Sequence, residues 1–176
     1  MLPADIASVL RVQAHCYLPD NIESEAVIRA RLASAADTAW IAELDGAVCA
    51  YLVGYRSQLG QVGALGDGFE PAEAPDCLYL HDLAVGPQAR GLGLGPRLVA
   101  HALSQARREG LPWAALVSVQ DSQAFWRQQG FVAIRLDDRD QLQALASYAG
   151  GPVCYMTQAL QETADSRETS ELAYSG

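Results

Sequence analysis

Apolar positions change period several times along the chain, and each change marks an element. ADIASVLRVQAHCYL, residues 4–18, places Ile6, Val9, Leu10 and Val12 on one helical face. IESEAVIRARLASA, residues 22–35, predicts a second, more charged helix. Residues 38–57, TAWIAELDGAVCAYLVGYRS, read as a hairpin: mostly apolar runs at 39–44 and 47–55 flank Asp45-Gly46, a two-residue turn signal. Residues 57–76 hold four Gly and two Pro without a period, which predicts a mobile loop near the functional site. CLYLHDLAV (77–85) then predicts a strand, GPRLVAHALSQARREG (95–110) a helix, LPWAALVSV (111–119) a strand and DSQAFWRQQG (121–130) a short helix. FVAIRL (131–136) and GPVCYMTQAL (151–160) supply two last strands, and Gly110 and Gly130 stop the helices before them. The polar stretch 161–176 is expected to fray, and no repeat or linker divides residues 1–160.

At 176 residues, half of them apolar, the chain has material for one core, so a single α/β or α+β domain is expected. No apolar run reaches the eighteen or so residues of a membrane span, and the start lacks the basic flank and apolar stretch of a signal peptide, so a soluble cytoplasmic protein is expected. Cys16, Cys49, Cys77 and Cys154 are scattered without CxxC spacing, which argues against zinc and a disulfide scaffold. A net charge of −9 argues against a nucleic-acid partner. Charge is uneven, however: residues 86–110 hold four Arg against one Glu, while the segments on either side are acidic. An anion belongs in that basic stretch, and the acidic remainder favours a cationic second ligand. The chain has no Lys, which removes a P-loop lysine and any Schiff base.

The basic stretch contains Arg90-Gly91-Leu92-Gly93-Leu94-Gly95-Pro96-Arg97, between a strand and an amphipathic helix. Pro96 suits a first helical turn because it has no N–H to leave unpaired. Leu98, Val99, Ala102, Leu103 and Ala106 line one side of that helix. Free N–H groups and the dipole at a helix start favour an anion, and glycines let a phosphate approach the backbone. Arg90 or Arg97 adds charge-assisted hydrogen bonds. A P-loop requires Gly-Lys-Ser/Thr, and the GxGxxG fingerprint fails at Pro96 or at Leu98, depending on where counting starts. A plain strand-to-helix turn without a ligand is the competing reading.

Arg90-Gly91-Leu92-Gly93-Leu94-Gly95 resembles the (Arg or Gln)-x-x-Gly-x-(Gly or Ala) signature of the GNAT superfamily of acyl-CoA-dependent N-acyltransferases. LAVGPQA before it is similar to that family's strand exit, and AFWRQQGF resembles its short helix ending in Gly-Phe. The resemblance implies a mixed, mostly antiparallel twisted sheet of six to seven strands flanked by about four helices, opening with a strand for which only Met1 and Leu2 precede Pro3. It implies acetyl-CoA as co-substrate and no metal. Backbone amides of Leu92, Gly93, Leu94 and Gly95 would wrap the pyrophosphate, with Pro96 withholding one contact. Leu83, Ala84 and Val85 would pair with the pantetheine arm in a gap between strands 77–85 and 111–119, and Ser122, Phe125 and Trp126 would border it. A homodimer follows by analogy alone.

Transfer to an amine calls for a base near the acceptor, worth on the order of 10²–10⁴-fold. His81 and Asp82 lie on the strand before the turn, and period-two alternation predicts opposite faces for them. YLHDLAV resembles HLHALAV of arylalkylamine N-acetyltransferases, which implies His81 as base and puts Tyr79 at the other histidine position. A structural histidine is the competing reading for His81; Asp82 is expected either as an exposed charge or as an attractor for a cationic acceptor. The family's acid is a tyrosine four residues before the Gly-Phe glycine, and here Trp126 stands there, which cannot donate that proton. Water, Tyr79 or Tyr155 would replace it. Three functions stay open: an acetyl-CoA-dependent N-acetyltransferase acting on a small or peptide amine, a coenzyme A-binding module with little turnover, and a nucleotide-binding interaction domain outside that family.

Overall fold

Among residues 1–148 and 152–161, which the computed structural model describes, there are six strands and five α-helices. The hairpin forms as its sequence predicts: β1 (Ala39–Leu44) and β2 (Ala47–Ser57) turn through Asp45 and Gly46, both left-handed at φ 51° and 76°. β3 (Cys77–Val85) continues antiparallel to β2, and β4 (Trp113–Ser118) lies parallel to β3. β5 (Val132–Ala133) and β6 (Cys154–Ala159) complete a mixed, mostly antiparallel sheet of order β1-β2-β3-β4-β6-β5.

Helix α3 (Leu94–Arg108) crosses from β3 to β4 and buries Leu98, Val99, Ala102, Leu103 and Ala106 on one sheet face, over Leu52, Leu78, Leu80, Ala114 and Leu116. Each of the larger side chains there contributes roughly 1.5–3 kcal/mol by leaving water. On the opposite face, α1 (Ile6–Cys16) and α2 (Glu25–Ser34) press Ile6, Val9, Val12, Ile28 and Leu32 against Tyr51 and Ala84. The first turn of α2 is capped by Ser24, whose hydroxyl accepts from Val27 N–H. α4 (Gln123–Gln128) is the short helix before Gly130.

Several expectations change. In place of an initial strand, Pro3–Asp5 form a 3-10 turn, and the Met1 ammonium donates to Ala39 O at 2.7 Å, so no strand precedes α1 among the described residues. The strand expected over 131–136 shortens to two residues because the chain turns away toward Asp138, which caps a further helix, α5 (Arg139–Leu145). The loop at 58–76 is irregular in path but fastened at its backbone. Gly60 N–H donates to Tyr155 Oη (2.9 Å), Val62 N–H to Gln141 Oε1 (2.7 Å) and Leu65 N–H to Ser147 Oγ (3.0 Å), while Tyr148 Oη donates to Gly63 O (2.5 Å). The expected frayed tail lies outside the described residues beyond Gln161. No helix among the described residues is long and apolar enough to cross a membrane.

The change that matters most is a β-bulge. Val53 pairs with Asp82 but the next residue, Gly54, pairs with Leu80, so His81 is an extra residue in β3. Leu78 and Leu80 face α3 before the bulge, and Leu83 and Val85 face it afterwards. His81 and Asp82 therefore point to the same sheet face, correcting the alternation expected from an unbroken strand. Gly54 permits this close approach, since a Cβ there would lie 2.4 Å from Tyr79 O.

Candidate active site

β3 and β4 pair only from Cys77–Trp113 to Leu80–Leu116, and beyond that they separate, as the resemblance implies. The wedge holds a cavity of about 200 Å³ whose wall includes Leu83, Ala84, Val85, Ser122, Phe125 and Trp126, with Arg90 at its rim. The C-terminal end of α1 reaches its other side. Tyr17 Oη, whose one hydrogen is shared with Asp82, lies 3.0 Å from Leu83 O, and the Cys16 thiol donates to Val85 O at 3.3 Å, so two carbonyls of the unpaired β3 edge already have side-chain contacts. Burial pushes the Cys16 thiol pKa up, and nearby Arg90 pulls the other way. From β4 the chain enters α4 through Gln120 and Asp121, both left-handed at φ 50° and 58°, a conformation costing about 1–2 kcal/mol in a residue other than glycine.

Gly91 and Gly93 in the turn have φ of 79° and 73°, and Gly93 is the N-cap of α3. Space beside both Cα atoms is open. The helix begins at Leu94, which puts Pro96 third and leaves the N–H groups of Leu94 and Gly95 without intrahelical acceptors. Leu92 N–H is spent on Ala89 O at 3.3 Å, so it drops out of the set of amides expected to wrap an anion. Gly95 sits 3.5 Å from the Phe125 ring and 3.6 Å from Val85, measured from the position of an added Cβ, which presses the helix start against the cavity wall. Arg90 and Arg97 are exposed, and of the two only Arg90 lines the cavity.

A smaller cavity of about 30 Å³ adjoins the larger one, with Tyr17, Glu23, Leu65, His81, Asp82 and Tyr148 on its wall. His81 and Tyr17 line both cavities. The His81 side chain is 2% exposed, with Nε2 3.6 Å from Glu23 Oε1, and its Nδ1 has no hydrogen-bond partner among the described residues. Burial pushes the Glu23 pKa up, but His81 and Arg31 outweigh it and hold the carboxyl at about 2, so Glu23 stays ionised. Its Oε2 accepts from Arg31, and its Oε1 accepts from Gly66 N–H at 2.9 Å. Arg31 also donates to Asp67 O through Nε (2.8 Å) and Nη2 (2.6 Å) and lies 4.8 Å from the Phe69 ring centre.

Asp82 is not the exposed charge expected of it. Its carboxylate accepts from Tyr17 and, at 2.5 Å, from Tyr51. Burial raises its pKa against the lowering effect of the two phenols. Tyr79, buried with Tyr55 and Ala115, lines neither cavity. Tyr155 lines neither cavity either, and its hydroxyl holds Gly60 N–H. Trp126 does line the larger cavity, edge-on to Phe125 and Phe131. The hydroxyl-bearing residues on that wall are Tyr17 and Ser122, the latter 3.0 Å from Ser118 Oγ.

Glu23, Arg31, Tyr17 and Tyr148 escaped the reading of the sequence. Arg31 carried a legible signal: it shares the buried face of α2 with Ile28 and Leu32, where a lone charge needs a partner. Glu23 stands among the charged residues that open the segment read as the second helix, two positions before α2 begins, and nothing there set it apart.

No curated protein shows significant sequence similarity to the chain. Solved structures resemble it in fold. A GNAT-like decarboxylase, GphF, in complex with isobutyryl-CoA aligns with a TM-score of 0.66 at 19% identity, over 92% of this chain and 97% of that one. Ard1 from Thermoplasma volcanium gives 0.65 at 19% identity (92% and 95%). The ribosomal-protein-S18-alanine N-acetyltransferase from Escherichia coli gives 0.65 at 12% identity (94% of each). Residues 6–131 match the family described as Acetyltransferase (GNAT) family. The chain belongs to that family and is an acyl-CoA-dependent acyltransferase.

Proposed function

We propose that the protein transfers an acetyl group from acetyl-CoA directly to a primary amine of a small molecule or peptide within a ternary complex. The observation that carries this reading is the place of His81 at the junction of the two cavities. The larger cavity takes the thioester arm, with the Leu94 and Gly95 N–H groups and Arg90 toward the pyrophosphate. Pairing of the pantetheine amides with Leu83 and Val85 displaces the Tyr17 and Cys16 donors from those carbonyls. The amine occupies the smaller cavity, whose carboxylates Glu23 and Asp82 favour the arrival of an ammonium group. His81 removes a proton as the amine nitrogen attacks the thioester carbon. The C–N bond forms, the C–S bond breaks, and the second proton shed by the nitrogen passes to the departing sulfur along the wall that carries Tyr17 and Ser122.

A coenzyme A-binding module with little turnover is a second reading, favoured by Trp126 in the position of the family's acid and by the missing N–H of Pro96. One assay separates the two. Thiol release from acetyl-CoA is followed across an amine panel for wild type and His81→Ala, alongside calorimetric titration of both with acetyl-CoA. Transfer predicts turnover that falls about 10²-fold or more in His81→Ala while binding persists. A wild-type rate in His81→Ala removes His81 as the base, and binding without turnover on any amine favours the module.

A further inference from the structure

We infer that Glu23 is a positioning residue that turns the His81 ring so that Nε2 carries the proton and Nδ1 is the atom that receives the proton of the acceptor. This rests on the transferase reading above. A neutral imidazole has one donor nitrogen and one acceptor nitrogen, and the partner of one fixes the role of the other. Nε2 faces a buried carboxylate oxygen at 3.6 Å, and hydrogen bonds of this kind tighten when substrate closes a site. A donor therefore belongs at Nε2, which leaves a lone pair on Nδ1.

Around Nδ1 the described residues provide no hydrogen-bond partner. Gly63 of the loop lies close, and a Cβ there would be 3.5 Å from Nδ1 and 2.8 Å from Tyr55 Oη. Only a residue without a side chain fits there, and Nδ1 is covered from solvent without being paired. Other ionisable groups around the ring are committed or neutral. Asp82 holds Tyr17 and Tyr51, Tyr148 donates to Gly63 O, and burial pushes Tyr79 and Tyr148 well above the usual phenol range. Glu23 is the carboxylate facing Nε2, in position with neighbouring Asp82 to stabilise an imidazolium, and its pairing with Arg31 and Gly66 N–H keeps it in that role rather than in that of the base.

The position of Glu23 is itself fixed from two directions. Arg31 comes from α2, while Gly66 N–H and the Asp67 carbonyl that grips Arg31 come from the 58–76 loop. The orientation of the base is thereby tied to the docked state of the loop.

Nitrogen-15 NMR of the wild-type protein labelled at histidine reads the tautomer directly. The chain has three His, and His15→Gln and His101→Gln identify the other two signals. The expected result is a neutral His81 protonated on Nε2; protonation on Nδ1 overturns the inference, whether or not the protein transfers acetyl groups. Glu23→Gln supplies the kinetic half. It is expected to lower kcat by between about tenfold and 10⁴-fold, leave the KM for acetyl-CoA unchanged and move the acidic limb of the kcat/KM profile to lower pH. A folded Glu23→Gln protein whose pH profile matches wild type overturns the inference even if kcat falls, because loss of packing alone would do that. Should this variant fail to fold, the wild-type spectrum still decides.

Discussion

Gly93 joins a left-handed φ of 73° to empty space where a side chain would begin, so a substitution there alters the anion site without repacking the core. Gly93→Asp costs roughly 1–2 kcal/mol of backbone strain, a fall of a few degrees in Tm for a chain of this size. It also puts a carboxylate against the N-terminus of α3, where an incoming phosphate would lie. Acetyl-CoA binding by calorimetry is expected to vanish while the circular dichroism spectrum persists; unchanged affinity would return the glycine turn to a structural role. At this scale the sequence disclosed whatever stood in a motif or a strand. His81 and the glycines were legible in this way. Glu23 was not, because its partner His81 lies 58 positions away and only the fold brings them together.

Element by element, period and punctuation served well where a segment buries one face. β1 and β3 begin and end where the alternation of apolar runs and turn residues places them, and the α3 stripe packs as read. They failed where burial is slight: α5 has no fully buried residue, so it shows no stripe to find, and both residues of β5 are exposed. The bulge at His81 was invisible for another reason. A strand pattern records residue types and not pairing, and the extra residue is accommodated by Gly54 across the ladder. Gly54→Ala is accordingly expected to push β2 away from Tyr79 O, costing roughly 1–3 kcal/mol, and to disturb the shared orientation of His81 and Asp82. The checks are the urea midpoint and turnover; an Ala variant equal to wild type in both would show that the bulge forms without the close approach.

Over the whole molecule, acid stability follows from which carboxyls the fold favours as anions. Glu23 drops from 4.5 to about 2 on folding, so its contribution is complete above pH 4.5 and disappears as pH falls toward 2. Asp82 acts the other way, because burial raises its pKa and its ionised form costs stability at neutral pH. Asp37 and Glu109 are lowered by Arg56 on the surface and add little. Scanning calorimetry is expected to give a Tm that falls steeply between pH 4.5 and 2, with a shallower fall in Glu23→Gln. Equal slopes in the two proteins would dismiss Glu23 as the source.

The ladder between β3 and β4 is four residue pairs long, and it is the strand pairing that joins β1-β2-β3 to β4-β6-β5 among the described residues. Mechanically the sheet is two leaves sharing a short seam, with the rest of the joint left to be filled by a molecule that the protein does not make. A bound thioester arm is then a splint as well as a reactant: the leaves shear less readily when it is present, and the folded population grows with ligand concentration.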